Sequence, residues 1–196
     1  MESDDVMKIY ALFLVVLFCS LFLLVGCTQQ APSQLPSQQI EDKGLKPAGE
    51  KAVVHWKEAA LTDVRTGETF KISDFIGKKV ILESMAVWCP VCTQQQKNIQ
   101  KLHEDVGDAV VSISVDTDPN EDVQLLKDHV QANGFTWPFA VSPVEVTRAL
   151  IEEFGVIVVN APSAPIILIC EDQSTRLMES GLKSVAELQE ELAKGC

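Results

Sequence analysis

Apolar positions open the chain as one long block and then, past a polar gap, recur as short runs at helix or strand spacing. Ile9 to Val25 is apolar over 17 residues, interrupted only by Cys19 and Ser20. Thr28 to Pro47, rich in Gln, Ser and Pro, has no apolar period, so it cannot bury enough surface to offset its chain entropy and reads as a flexible tether. Lys79 to Leu82, a β-branched run leaving a Gly77-Lys78 turn, predicts a strand buried on both faces. Thr93 to His103 predicts a helix whose apolar positions are sparse (Ile99, Leu102, then Val106), with Gln94, Gln95, Gln96, Lys97 and Gln100 turned to water. Ala109 to Val115 predicts a second strand ending at Asp116, and the turn Asp118-Pro119-Asn120 leads into a helix from Glu121 to about Ala132 that Asn133-Gly134 stops. Phe135 to Val141 reads as an extended segment interrupted by Pro138, and Pro143 to Phe154 as a helix closed by Gly155. Strands at Ile166 to Ile169 and Thr175 to Glu179 flank a turn at Glu171 to Ser174, and Ser184 to Lys194 predicts the last helix. This βα alternation implies an α/β domain, one sheet with helices on both faces.

The leading block has the length of a signal h-region and is marginal for a full membrane span. It ends in Leu24-Val25-Gly26-Cys27, and small residues before a cysteine suit a lipoprotein signal peptidase, whose narrow site the peptide must enter before the thiol is acylated. The run resembles a lipobox. It implies a signal peptide over 1–26, lipidation at Cys27, a lipidated tether over 27–50 and a domain over 51–196. An uncleaved anchor with Cys27 as an ordinary apolar residue is the alternative, and both readings leave the domain on the outer face of the cell membrane. Glu2, Asp4 and Asp5 give the n-region the wrong sign, and a start at Met7 would repair it by leaving Lys8 in the lead.

Composition and charge mainly exclude. With 46% apolar and 22% charged residues among 196, the chain has material for one core. Its net charge is −12, and removing residues 1–26 still leaves 25 acids against 15 bases, so the acidity belongs to the domain. Such a surface does not gather phosphates, which argues against a nucleic-acid partner; solubility is its plain reading.

The chemistry lies in the cysteines. Cys19 sits inside the leader and Cys27 at its end, leaving four in an exported domain where disulfides persist. Two of these form Trp88-Cys89-Pro90-Val91-Cys92 between the first domain strand and its helix. At a helix N-terminus, Cys89 faces the positive end of the dipole and unpaired N–H groups, which favour a thiolate. Pro90 suits the first helical position. Cys92 follows one turn on, facing Cys89 and more buried. Cys89 would attack a substrate disulfide and Cys92 would resolve the mixed disulfide. Glu83 interrupts the apolar run just before the turn, where burying a carboxylate is costly; its expected use is to exchange a proton with Cys92, the alternative being a strand-end Glu in solvent. Trp88 is expected beside the turn, shaping a docking surface, and Trp56 and Trp137 in the core or at its edge. His55, His103 and His129 are far apart, the last two among polar helix neighbours, and read as solvated. None makes a ligand spacing with the CxxC, which weakens a metal site, although a metal-binding module or metallochaperone using the two thiolates is the second functional reading. A thiol peroxidase, needing one activated cysteine in another loop pattern, is a third. The chain carries no flavin or nicotinamide motif and no second CxxC, so no bound cofactor is expected and another protein must supply or accept the electrons.

Val80 to Cys92 resembles the active-site strand and turn of thioredoxins, with Glu83 at the place of their buried acid. Leu61 to Lys78 is similar to the N-terminal hairpin of the redoxin branch, including TlpA-like membrane-anchored oxidoreductases, and the likeness runs from about Val53 to Leu192. It implies a thioredoxin-like fold: a central mixed sheet flanked by helices, with an N-terminal β-hairpin extension. It further implies exported thiol or disulfide proteins as substrates, apocytochrome among them, and a membrane thiol-electron transporter as redox partner. The family places a cis-proline before the strand at Ile166; Pro162 and Pro165 compete for it, with Pro165 favoured because Pro162 would put Pro165 inside the strand, the alternative being that both are trans and only shape the loop. Ala164 would then offer its backbone to an incoming peptide. In such a layout the last helix returns towards the turn at Cys170, so Cys170 and Cys196 can meet as a disulfide, or stay buried and frayed respectively. Ser84-Met85 replaces the family's aromatic pair and Pro-Val its Gly-Pro, so the direction of electron flow is open.

Overall fold

The structure is a computed structural model that describes residues 55–196. The expected signal peptide with its Met7 start, the lipidated Cys27 and the tether lie outside the described residues. Among the described residues, no helix is long and apolar enough to cross a membrane.

A short hairpin opens the domain, β1 (Leu61–Thr62) pairing antiparallel with β2 (Thr69–Phe70). Five strands then form the main sheet: β3 (Lys79–Met85), β4 (Val110–Asp116), β5 (Phe139–Val141), β6 (Ile166–Ile169) and β7 (Thr175–Leu177), in the order β5-β4-β3-β6-β7. β3 is central, parallel to β4 and antiparallel to β6, and its residues Val80 to Met85 are all buried. It runs three residues past Leu82 because Glu83, Ser84 and Met85 keep partners in Ser114, Val115 and Asp116 of β4. β5 is shorter than the apolar run suggests: Pro138 cannot donate to a ladder, and Phe135 and Trp137 instead pack with Phe139 in an aromatic cluster.

Among the described residues, four helices cover the sheet: α1 (Pro90–Val106), α2 (Val123–Asn133), α3 (Val144–Phe154) and α4 (Val185–Lys194). Alternation along β3 divides the core. Ile81 and Met85 point to one face, packing with Ile99 and Leu102 of α1, Leu126 of α2 and Leu188 of α4. Val80 and Leu82 point to the other, packing with Val146 and Leu150 of α3 and with Trp56, Leu61 and Ile72 of the N-terminal segment. Asp122 caps α2 by accepting from Leu125 N, and Ser184 with Glu187 forms a capping box on α4. α2 ends on Gly134 at φ 68°, a left-handed position that glycine adopts without penalty. Cys170, just past β6, is bridged to Cys196, just past α4, with Cα atoms 6.0 Å apart.

α1 departs from the expected pattern. Gln94 is exposed, but Gln95 and Gln96 are completely buried. Gln95 exchanges bonds with the Lys183 backbone, its Oε1 accepting from Lys183 N at 2.7 Å and its Nε2 donating to Lys183 O at 3.3 Å. Each amide finds a partner for its oxygen and one for its nitrogen in the interior, which offsets much of the cost of taking it out of water.

Candidate active site

The site is built where β3 hands over to α1, at the carboxyl end of the parallel strands β3 and β4. Cys89 is the N-cap of α1 and Pro90 its first residue, so the turn needs no N–H that proline lacks. Cys89 Sγ accepts from Cys92 N at 3.2 Å, and Cys92 Sγ, with one hydrogen to give, lies 2.6 Å from Cys89 Sγ and 3.2 Å from the Ala161 carbonyl oxygen. Burial pushes the Cys92 thiol well above its ordinary pKa, with the bond to Cys89 and the charge of Glu83 acting in the same direction. Contrary to the expected order, Cys89 is as completely buried as Cys92. The reason is tertiary: Ala86 and Ala161 share one apolar cluster with both cysteines, so the turn at Ala161–Ser163 packs against the pair.

Glu83 lies on the α1 face of β3, fully enclosed, which rules out a strand-end position in solvent. Its Oε2 accepts from Ser114 Oγ at 2.6 Å and from Gln96 Nε2 at 3.1 Å, while Oε1 has no hydrogen-bond partner among the described residues. Desolvation raises its pKa to about 8, against the lowering effect of those two donors.

Trp88 is exposed, and its indole Nε1 donates to Asp118 Oδ2 at 2.6 Å. Glu121 holds the same turn from below, its carboxylate accepting from Val87 N at 2.6 Å and Trp88 N at 3.2 Å. Asp116, at the end of β4, is buried, and desolvation, with Glu121 nearby, raises it to about 7. These acids escaped the sequence reading because Asp118-Pro119-Asn120 was legible only as a turn. The signal that could have found them is the parallel pairing itself, which sets the loop after β4 beside the loop after β3.

Three expectations need correction. The described residues contain no cis peptide bond, so neither Pro162 nor Pro165 is cis. The chain reverses instead through a short 3₁₀ turn and a left-handed Ala164 at φ 44°, and Pro165 enters β6 with its carbonyl accepting from Ser84 N at 3.1 Å. Ala164 is buried and its N–H is already given to Ala161 O at 2.9 Å, so it does not offer that donor to a peptide. His103 and His129 are not simply solvated: His103 Nε2 lies 2.9 Å from Ser112 Oγ, and His129 Nε2 donates to Gln96 Oε1 at 2.8 Å. Their polar sequence neighbours face water while the rings turn inward onto partners from other elements. Trp56 and Trp137 are buried, as core aromatics. Among the described residues no three His, Cys, Asp or Glu side chains cluster so as to hold a metal ion.

A CxxC on the first turn of the helix leaving the central strand of a mixed, helix-flanked sheet defines a thioredoxin-like oxidoreductase. The chain belongs to the Redoxin family, whose sequence profile matches residues 47–181. No match was found among curated proteins. Among solved structures, the fold is shared with a secreted Mycobacterium tuberculosis disulfide oxidoreductase homologous to Escherichia coli DsbE, at 16% identity and TM-score 0.54 over 71% of this chain and 97% of that one. It is also shared with the exposed lipoprotein thioredoxin Etrx1 of Streptococcus pneumoniae, at 21% identity and TM-score 0.57 over 69% and 98%. A thiol:disulfide interchange protein of Chlorobium tepidum gives 18% and 0.56 over 70% and 92%.

Proposed function

We propose that the protein exchanges disulfides with exported proteins through Cys89 and Cys92, working as a lipid-tethered thiol-disulfide oxidoreductase on the outer face of the cell membrane. The observation that carries this reading is the meeting of the two sulfurs at 2.6 Å on the N-terminal turn of α1. In the reducing direction, the Cys89 thiolate attacks a substrate disulfide, a mixed disulfide forms and one substrate thiolate leaves. The Glu83 carboxylate takes the proton of Cys92, whose sulfur then attacks Cys89 Sγ; the Cys89–Cys92 disulfide forms and the second substrate thiolate leaves. Two electrons from a membrane thiol-electron transporter, with the proton on Glu83 returned to Cys92, restore the Cys89 thiolate and the Cys92 thiol. Because both sulfurs are enclosed, the Ala161–Ser163 turn yields as the substrate docks beside the exposed Trp88. Lipidation at Cys27 is supported by the lipobox-like run before it, and an external location by two fold neighbours described as secreted and as an exposed lipoprotein.

Reduction of insulin disulfides tests the reading. Cys89→Ser abolishes turnover, and Cys92→Ser accumulates a mixed disulfide that non-reducing gels detect; turnover surviving in Cys89→Ser sinks the proposal. The measured reduction potential assigns the direction, a value near about −270 mV marking a reductant and one near about −120 mV an oxidant.

A further inference from the structure

We infer that Trp137 and His129 are positioning residues for Glu83, each sending a one-way hydrogen-bond chain inward so that Oε2 is held as an acceptor and Oε1 is left to carry and exchange the proton. This rests on the reading of Glu83 as the proton partner of Cys92.

The first chain begins at an indole, which donates and cannot accept. Trp137 Nε1 donates to Ser114 Oγ at 3.0 Å. With that lone pair engaged, the single hydroxyl hydrogen of Ser114 points to Glu83 Oε2, 2.6 Å away. The parallel register sets Ser114 directly opposite Glu83, so this contact is built into the sheet. The second chain begins at His129 on α2. Its Nε2 lies 2.8 Å from Gln96 Oε1, a carbonyl oxygen that only accepts, so the ring carries hydrogen on Nε2. The Gln96 amide is thereby turned with its Nε2 donating to Glu83 Oε2 at 3.1 Å. A flipped amide would need the opposite ring tautomer, with Nε2 bare, and a proton on Glu83 Oε2, the oxygen to which the Ser114 hydroxyl already donates.

Both chains end on the same oxygen. A proton on Oε2 would compete with two donors already aimed at it, whereas Oε1 is enclosed and without a partner among the described residues. The titratable or charged groups around this arrangement are few. From α1, the charge of Glu83 acts on Cys92, whose thiol burial chiefly holds protonated, and His103 stacks on Trp137 with ring centroids 5.9 Å apart. From the segment before α2, Glu121 faces His129. The register partner from β6 is the apolar Ile166. Burial holds His129 below its ordinary pKa, and both the neutral Nε2–H ring and the imidazolium donate, so the chain keeps its direction when His129 titrates.

The test is a ¹³C titration of the Glu83 carboxyl in the full-length chain in detergent, alongside the pH profile of mixed-disulfide resolution. Trp137→Phe and His129→Leu each remove the outer donor of one chain, freeing Ser114 or Gln96 to turn away, and raise the Glu83 half-point by roughly one pH unit, about tenfold in proton affinity, with the resolution profile moving alike. His129→Gln keeps a donor in place and holds the wild-type half-point. If Trp137→Phe fails to fold, Ser114→Ala breaks the same chain at its inner donor with little change in volume. Unchanged half-points in the folded donor-loss variants, or a His129→Gln half-point moved as far as that of His129→Leu, overturn the inference. Failure of the underlying reading looks different: Glu83→Gln then leaves the resolution profile untouched, while the carboxyl half-points still move in the positioning variants.

Discussion

Glu83 stands between Ile81 and Met85 on the inward face of β3, and enclosure there makes its charged form costly. The cost appears as a pH dependence of stability. Below about pH 4.5 the acid is neutral in both the folded and unfolded chain. As pH rises from there to about 8, the unfolded chain releases the proton while the folded one keeps it, so stability falls across that window and levels above it. Urea midpoints of Glu83→Gln should therefore fall less than wild type over this range, with a difference of about 3–5 kcal/mol by pH 9. Asp116, raised to about 7, contributes with the same sign and persists in the variant, so the comparison isolates Glu83. Parallel curves would remove the buried-acid account. Glu83 was legible in the sequence as a lone acid in an apolar run. Gln96, Ser114 and His129 were not, because nothing local distinguishes a polar side chain with buried partners from one in water.

At the scale of elements, the strands and helices follow their local signals, and the departures occur where an element carries polar residues inward. Gln94 and Gln95 are adjacent and identical in type, yet Gln94 is exposed while Gln95 is buried against the backbone at Lys183. Gln95→Leu leaves the Lys183 N–H without its acceptor and should cost about 1–3 kcal/mol, read as a lower thermal midpoint. Gln94→Leu should stay within about 0.5 kcal/mol. Equal midpoints for the two variants would mean that α1 is not pinned to the Lys183 segment through Gln95. The same logic governs the turn before β6: the left-handed Ala164, rather than a cis-proline, reverses the chain, and no rule of local sequence marks an alanine for that conformation.

For the whole molecule, the Cys170–Cys196 bridge ties the end of α4 to the end of β6 across 26 residues. Ile169 of β6 pairs with Val80 and Ile166 with Glu83, so Cys170 lies at the end of the sheet away from the CxxC. Replacing both cysteines by alanine should lower stability by about 3 kcal/mol while insulin reduction stays within about twofold of wild type. Non-reducing peptide mapping of the oxidised protein should yield the Cys170–Cys196 linked peptide. Free thiols at both positions would discard the bridge.

By itself the sequence determined the α/β alternation, the CxxC at the head of its helix, the isolated acid behind it and the lipobox-like run at Cys27, because each is a local pattern of period, spacing or residue type. Only the tertiary structure decided that Cys89 is enclosed, that Gln95 and Gln96 turn inward, that Glu121 and Asp118 grip the turn at Trp88, and that donors starting at Trp137 and His129 converge on one oxygen of Glu83. Those features join residues from separate elements, and the strand register and helix packing that bring them together become definite only once the chain has folded.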